Sequence, residues 1–261
     1  NKIMGKFFTV EVKPDIVGGD ISDVIADDKT DAPFSAGDVL FDWHAFDIPK
    51  GSAKLESVCA YVMGEDGGQQ ADTDIHLVFA KTVNGNAPAS LGSGNAIMTT
   101  GFDMPAHLVG ACKLEGTTEG QGTIDGPAFG QVYIAGPNSA NGMNHQGILT
   151  GEPESGDNVG FDKLYVAGFS GGTLDFSTGV LSTGAITAEA SATIAVDTVD
   201  ARKCFQVGDT VYIHDVDTAA GTVKSVASGS IVLEAVTAVA VANNDEIINA
   251  TPIKLVLGFE R

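Results

Sequence analysis

The clearest candidate for nucleophilic chemistry is Ser170, which lies in the run GFSGG at residues 168–172. This run has the G-x-S-x-G spacing of a nucleophile elbow, a sharp strand-to-helix turn that exposes the serine hydroxyl. Residues 163–169 have the pattern of a strand, but residues 173–179 do not have the pattern of a helix. We therefore interpret the run as a glycine-rich turn, and we predict no catalytic residue.

An acidic cluster beside a glycine turn is the candidate for a metal site. Asp66, Asp72 and Asp74 offer carboxylate oxygens, which are the ligands that Ca²⁺ prefers. Their spacing is not that of an EF-hand loop, and the closing glutamate of such a loop is missing. We prefer to interpret the cluster as a solvated hairpin tip, and we predict no cofactor.

The histidines and cysteines indicate no further ligand set. No histidine lies within four residues of another, so HxH and HExxH pairs are absent; the histidines are His44, His76, His107, His145 and His214. The three cysteines contain no CxxC pair, which argues against a zinc site or a redox pair. We predict that Cys59, Cys112 and Cys204 are buried thiols in a chain made in a reducing cytoplasm.

Trp43 is the candidate for binding a sugar. Together with the neighbouring Phe41 and Phe46 it can form a flat aromatic platform. Aromatic residues at strand spacing are more often part of a core, because their large apolar surface favours burial. We therefore predict a core position for Trp43 and keep sugar stacking as the alternative.

The charge of the chain restricts its partners. It contains 34 acidic and 14 basic residues, for a net charge of −20. Nucleic-acid binding requires a cationic face, and the longest basic run is the pair Arg202-Lys203. The apolar runs are about one strand long, whereas a membrane-spanning helix needs about 20 apolar residues. We expect no nucleic acid and no membrane as partners, and no secretory signal at the N-terminus.

These candidate residues lie on a chain whose pattern predicts an all-β protein. Its 33 glycines separate short runs of alternating apolar and polar residues, which is typical of half-buried strands. The clearest predicted strands are Phe7–Val12, Val39–Phe46, Lys54–Met63 with an irregularity near Ser57, Asp74–Lys81 and Lys163–Phe169.

The composition changes near Gly184, which indicates a second domain. Residues 185–250 are rich in Ala, Val and Thr, and short strands are predicted at 192–196, 210–213, 221–226, 230–234, 238–242 and 246–249. Residues 252–259 resemble residues 163–169 in residue types and pattern, so we assign the last strand to the first domain. The predicted fold is a jelly-roll-like β-sandwich of residues 1–184 plus 251–261, with a small β-barrel-like module of residues 185–250 inserted before the last strand.

Four stretches resemble a family of virion structural proteins from tailed phages of marine bacteria and cyanobacteria. They are DIPKGSAKL at 47–55, DIHLVFAK at 74–81, LGSGNA at 91–96 and KLYVA at 163–167. The resemblance covers residues 1–182 and the last strand, while residues 185–250 resemble small β-barrel modules appended to phage particle proteins. It implies a non-enzymatic part of the particle and transfers no catalytic residues.

The resemblance and the charge together predict a capsid decoration or cement protein on the outer surface of the virion head. Such a protein binds the major capsid protein, whereas a strongly acidic chain facing packaged DNA would be repelled. We expect a homo-oligomer, with a trimer favoured, whose contacts involve residues 1–12 and 84–162. The alternatives are a tail- or fibre-associated attachment protein that binds a host glycan and, least favoured, a polysaccharide depolymerase or esterase that uses Ser170.

Overall fold

The computed structural model describes a chain dominated by β-strands. The described residues are 6–16, 33–49, 52–63, 73–116, 123–126, 130–135, 148–150, 163–174, 176, 180–197, 199–213, 216 and 218–261. Within these ranges the only helical elements are α1 (Met104–His107) and a 3-10 helix at Ala201–Lys203. None of the described helices is long and apolar enough to cross a bilayer.

The strands occur in the following order. They are β1 (Phe7–Val12), β2 (Val39–Asp47), β3 (Ser52–Val62), β4 (Ile75–Lys81), β5 (Leu108–Leu114), β6 (Thr123–Gly126), β7 (Gly130–Ala135), β8 (Ile148–Thr150), β9 (Lys163–Ser170), β10 (Val180–Ser182), β11 (Thr193–Asp197), β12 (Thr210–Ile213), β13 (Gly221–Ala227), β14 (Ser230–Leu233), β15 (Glu246–Asn249) and β16 (Ile253–Glu260). The prediction of an almost entirely β protein is therefore confirmed.

Two antiparallel sheets share one hydrophobic core. A six-stranded sheet has the order β1-β16-β3-β7-β6, with β8 paired to the first residues of β3. A four-stranded sheet has the order β2-β9-β4-β5. Both sheets contribute alternate residues to this core, such as Leu255 and Leu257 from β16 and Leu77 and Phe79 from β4. We call this unit the two-sheet body.

The inward face of β4 follows directly from its sequence. Ile75, Leu77 and Phe79 are buried, while His76 is exposed and Val78 is half-buried, as the two-residue alternation predicts. Ala80, in the same strand between β9 and β5, is buried as well.

The irregularity predicted near Ser57 is a β-bulge. Opposite β16, the register changes between Gly258, which pairs with Ser57, and Phe259, which pairs with Leu55. A β-carbon on Gly258 would lie 2.3 Å from the Ser57 hydroxyl oxygen, so a larger residue there would force this hydroxyl group to rotate away. The extra residue, Glu56, lets both sides of the bulge keep their apolar residues on the core face.

A second unit is a closed six-stranded barrel with the order β10-β11-β14-β13-β12-β15. Its interior is filled by small and β-branched side chains, including Ile194, Val211, Val223, Ile231 and Ile247. The predicted hairpin between residues 221 and 233 is the β13–β14 pair. Closure of the barrel removes the exposed edges that a sheet of short strands would otherwise have.

The barrel differs from the sequence-based prediction at two places. It begins with β10 at Val180, before the change of composition at Gly184, because this three-residue strand is too short to carry a pattern. The expected strand at 238–242 is not a strand, since only Val241 forms an isolated bridge, with Ile186. After the barrel, β16 enters the six-stranded sheet between β1 and β3.

Candidate functional site

Ser170 is held by its own turn at the end of β9. Its side chain is 1% exposed, and its Oγ donates a hydrogen bond of 2.6 Å to the Gly172 carbonyl oxygen. Its backbone N–H donates to the Asp38 carbonyl, and its own carbonyl accepts from Gly37. The chain continues into a bridge between Leu174 and Phe34, where an elbow would have a helix. This geometry stabilises a strand end and does not present a hydroxyl group to a substrate.

Of the candidate calcium ligands, Asp74 is the one that the structure describes, since Asp66 and Asp72 lie outside the described residues. The Asp74 carboxylate oxygens contact the Lys113 amine at 2.7 Å and the Gly116 N–H at 3.0 Å. The ion pair raises the pKa of Lys113. Among the described residues, no group of three or more His, Cys, Asp or Glu side chains could hold a metal ion.

The three described histidines lie in different environments. His107 is buried at the end of α1, where its Nδ1 donates to the Lys81 carbonyl at 2.8 Å and its Nε2 lies 3.3 Å from Asp103. His44 is half-buried on β2, and burial lowers its pKa. His76 is exposed on β4. His145 and His214 lie outside the described residues.

The cysteines are free thiols, as predicted, but one of them is not buried. Cys112 and Cys204 are buried, while Cys59 is half-buried on the outward face of β3. Burial raises the pKa of Cys112 to about 12 and also raises the pKa of Cys59. A thiol with a raised pKa holds little thiolate at neutral pH, so neither residue is set up as a nucleophile.

Trp43 lies outside the main core and supports a third layer of the molecule. Residues 89–108, which we call the covering segment, pack against the outer face of the four-stranded sheet and end at the first residue of its strand β5. The Trp43 indole N–H donates to the Ala89 carbonyl at 3.1 Å, and its ring packs near Val39, Leu91 and Ala167. The predicted core position is thus half-right, because Trp43 is half-buried in a small secondary cluster. In this position the ring packs between the outer face of the sheet and the covering segment.

The covering segment is fixed to β2 by hydrogen bonds. Leu91 donates its N–H to Asp42 at 3.1 Å, and Val39 exchanges hydrogen bonds of 2.9 and 3.0 Å with Ala96 and Asn95. Leu91 itself is fully buried. The segment is therefore a folded layer, although it lies in the glycine- and asparagine-rich stretch that showed little pattern in the sequence.

The covering segment also exposes large apolar side chains. Phe102 is 88% exposed and Ile97 is 70% exposed, while Leu108, at its end, is 42% exposed. Aromatic and aliphatic side chains held on a rigid backbone are typical anchors of protein–protein contacts, because their burial costs little conformational entropy. This surface could not be found from the sequence, since Phe102 and Ile97 follow no periodic pattern.

The edge of the six-stranded sheet at β1 is the second exposed surface. Phe7 is 74% exposed, and Phe8 stacks on Phe259 with 5.2 Å between ring centroids. An open cleft of ≈ 410 Å³ lies beside it, next to the β-bulge; its lining residues are Phe7, Phe8, Thr9, Glu56, Ser57, Gly258 and Phe259. The lining is mainly apolar, and its one ionisable side chain, Glu56, is paired with Lys54 at 2.6 Å.

A buried ion pair joins the two-sheet body to the barrel. The Lys13 amine lies 2.9 Å from Asp209 Oδ1 and also donates to the Val207 carbonyl at 3.1 Å. Asp209 Oδ2 accepts from the Asn249 amide at 2.8 Å and from the Gln206 N–H at 2.7 Å. Burial raises the pKa of Asp209, although these hydrogen bonds and the Lys13 charge act in the opposite direction.

Apolar contacts strengthen the same junction. Tyr212 and Ala250, from the barrel side, belong to the core cluster of the two-sheet body. Ile16 donates its N–H to the Ala250 carbonyl at 3.0 Å, and the Gln206 amide contacts the Met63 sulfur at 3.5 Å. The barrel is therefore attached through a packed interface and not through a free linker.

Comparison with known protein families, with curated proteins and with solved structures finds no match to this chain.

Proposed function

We propose that this chain is a non-enzymatic virion structural protein, most specifically a capsid decoration or cement protein that binds and stabilises the major capsid protein lattice. The covering segment is the observation that carries the proposal. It holds Phe102 and Ile97 in solvent on a backbone that is hydrogen-bonded to a rigid sheet. A protein that clamps its neighbours needs apolar anchors on a stiff frame.

Charge supports a position on the outside of the particle. At a net charge of −20, a copy that faced packaged DNA would be repelled by it. On the outer head surface the same charge keeps free copies soluble until they meet the capsid. Binding then depends on local surfaces where carboxylates are few, such as the covering segment around Ile97 and Phe102.

We also propose a finer architecture and an assembly. The two-sheet body is interpreted as a jelly-roll-like β-sandwich, into which the barrel is inserted before β16. The barrel, which is fixed through Lys13 and Asp209, moves as one piece with the two-sheet body when the latter docks. The protein functions as a homo-oligomer on the outer head surface, and the trimer expected from the resemblance stays a prediction.

Binding of the purified chain to virion heads that lack it tests this function. We expect saturable binding at a fixed ratio to the capsid subunit, and we expect Phe102→Ser to weaken it at least about tenfold, because an aromatic anchor commonly contributes about 2 kcal/mol or more. Thermal unfolding should change little, since Phe102 is 88% exposed.

Val236→Ser is the matched control, because Val236 is an exposed apolar residue near the barrel and lies outside the covering segment. It should bind heads as the unmodified chain does. Equal binding by the Phe102 variant and the unmodified chain would remove the covering segment from the contact. Failure of the unmodified chain to bind heads at all would contradict the decoration role itself.

A further inference from the structure

Strand β1 has one edge that pairs with no other strand among the described residues, and the hydrogen-bonding groups of this edge are arranged to pair with a second copy of themselves. Lys6 and Arg261 exchange backbone hydrogen bonds of 3.2 and 3.0 Å, which fixes the phase of the β1–β16 ladder. In an antiparallel ladder such pairs alternate along the strand. Even-numbered residues of β1 therefore bond to β16, and the N–H and C=O groups of Phe7, Thr9 and Glu11 point away from the sheet.

These outward groups have no backbone partner in the described part of the chain, and all three residues are exposed. Edge strands of natural proteins are usually protected by a proline, a bulge or an inward-pointing charge. Between Phe7 and Val12 this strand has no proline, and its ladder with β16 has no bulge. Its residues, FFTVEV, have high β-propensity.

We propose that β1 pairs with β1 of a second copy of this chain, antiparallel and about a two-fold axis at Thr9. In this register Thr9 lies opposite Thr9 of the second copy, and Phe7 lies opposite Glu11 of the second copy. It is the register that uses all three outward-facing residues within the strand. Each opposed pair exchanges two hydrogen bonds, and the six-stranded sheets of the two copies join into one.

The side chains fit this pairing on both faces. Phe8 and Val10 point towards the core but are only partly buried, and no strand in the described part of the chain lies beyond them. The two-fold axis brings Val10 of the second copy beside Phe8, so that each copy covers the incomplete core edge of the other. On the outer face, a register centred on Glu11 would place two carboxylates opposite each other, which disfavours that alternative.

The local charge permits two copies of an acidic chain to approach at this edge. Glu11 lies 2.9 Å from the Lys254 amine, and Lys54 lies within 4.0 Å of both Glu56 and Glu260. Lys6 and Arg261 add positive charge beside the strand. Paired carboxylates repel each other weakly, so the edge lacks the barrier that a net charge of −20 imposes elsewhere.

The edge of one short strand is a small interface, so the isolated protein should associate reversibly and with modest affinity. On a surface that holds many copies, the high effective concentration would drive the same contact. The pairing concerns the chain by itself and does not depend on the proposed decoration role, so that the two are tested by separate experiments.

Cysteine cross-linking of the full chain tests the register, with Cys59→Ser in every variant to remove the half-buried native thiol. Opposed residues that exchange hydrogen bonds have α-carbons about 5.5 Å apart, which is within the range of a disulfide. Thr9→Cys should form a covalent dimer under mild oxidation. Phe7→Cys or Glu11→Cys alone should not, whereas the variant with both should.

Three results would overturn the proposal: no dimer from Thr9→Cys, equal dimer from all three single variants, or dimer from Phe7→Cys and none from Thr9→Cys.

A non-covalent measurement is independent of the thiols. Thr9→Pro removes an N–H that faces the second copy, and it leaves the bonds to β16 in place. Sedimentation equilibrium should show self-association weakened at least about tenfold, with Thr9→Ser unchanged. Equal association constants for the two variants would also overturn the pairing.

Discussion

At the scale of single residues, the side chains that first suggested chemistry have structural roles. The Ser170 hydroxyl closes a turn, Asp74 binds Lys113 and the Gly116 backbone, and Trp43 supports the covering segment. Sequence spacing suggested these residues because a motif records only which types are near each other along the chain. Whether a hydroxyl or carboxylate is already occupied depends on the geometry of its turn, as for Ser170, or on a residue distant in sequence, as for Asp74, and both appear only in the fold.

Sequence patterns also failed to reveal an important contact, the ion pair between Lys13 and Asp209. They form the most buried ion pair described here, yet they lie 196 residues apart and no pattern in the sequence connects them. Lys13→Met leaves the Asp209 carboxylate buried at 3% exposure with its cation removed. We expect a loss of about 2 kcal/mol in the free energy of unfolding at neutral pH.

The pH dependence of this loss follows from the raised pKa of Asp209. A carboxyl whose folded pKa lies above its unfolded value of 3.8 favours folding at low pH, and this contribution is lost as the pH rises through the folded pKa. Removing Lys13 raises that pKa further. The stability difference between Lys13→Met and the unmodified chain should therefore shrink as the pH falls from neutrality towards 3.8 in denaturant titrations.

Lys254→Met is the control for this prediction. Its partner Glu11 has a side chain that is 53% exposed, so the pair should contribute only about 0–1 kcal/mol. If Lys13→Met lowered the free energy of unfolding by the same amount at acidic and neutral pH, the prediction would be contradicted. The Lys13 side chain would then stabilise the junction by packing and not by its charge.

At the scale of elements, alternation predicted the strands of the two-sheet body well. β4 and β16 bury every second residue, so their patterns are strong. The prediction of strands was less accurate where a strand is defined by backbone pairing and not by alternation of apolar and polar residues. β10 has three residues, and residues 238–242 have a strand-like composition but make only one bridge, at Val241. The covering segment was missed as a layer because loops held by single hydrogen bonds carry no periodicity.

The crossing of β2 and β9 depends on a glycine at one position. A β-carbon on Gly168 would lie 2.3 Å from a ring carbon of Phe41, which is itself 1% exposed. Gly168→Ala should therefore lower the free energy of unfolding by about 1–3 kcal/mol, because the buried ring has no room to move. Thermal or denaturant unfolding measures this change.

Gly184→Ala is the matched control, since a β-carbon there meets nothing within 4 Å. It should be neutral or slightly stabilising. A second variant, Phe41→Leu combined with Gly168→Ala, should recover part of the loss if the clash is its cause. Equal stability of the two single glycine variants would mean that the Phe41 ring does not pack on β9.

At the scale of the whole molecule, the proposed function depends on the exposed surfaces of a strongly acidic β protein. The two-sheet body and the barrel are joined by a packed interface. Among the described residues, four of the six exposed large apolar side chains lie on the covering segment or at the β1 edge, while Val207 and Val236 lie on the barrel side. The β class, the acidity and the change of composition near Gly184 could all be recognised from the sequence. It did not predict the surfaces, because they arise from residues brought together only by folding.

Imaging of intact virus particles from cells that express this chain tests the proposed decoration role most directly. A decoration protein should give density for the two-sheet body and the barrel at repeated, symmetric positions on the outside of the head, with Phe102 and Ile97 facing the major capsid protein. Heads whose outer surface carries no copy of the chain, with the chain found only at the tail tip or absent from the particle, would contradict it.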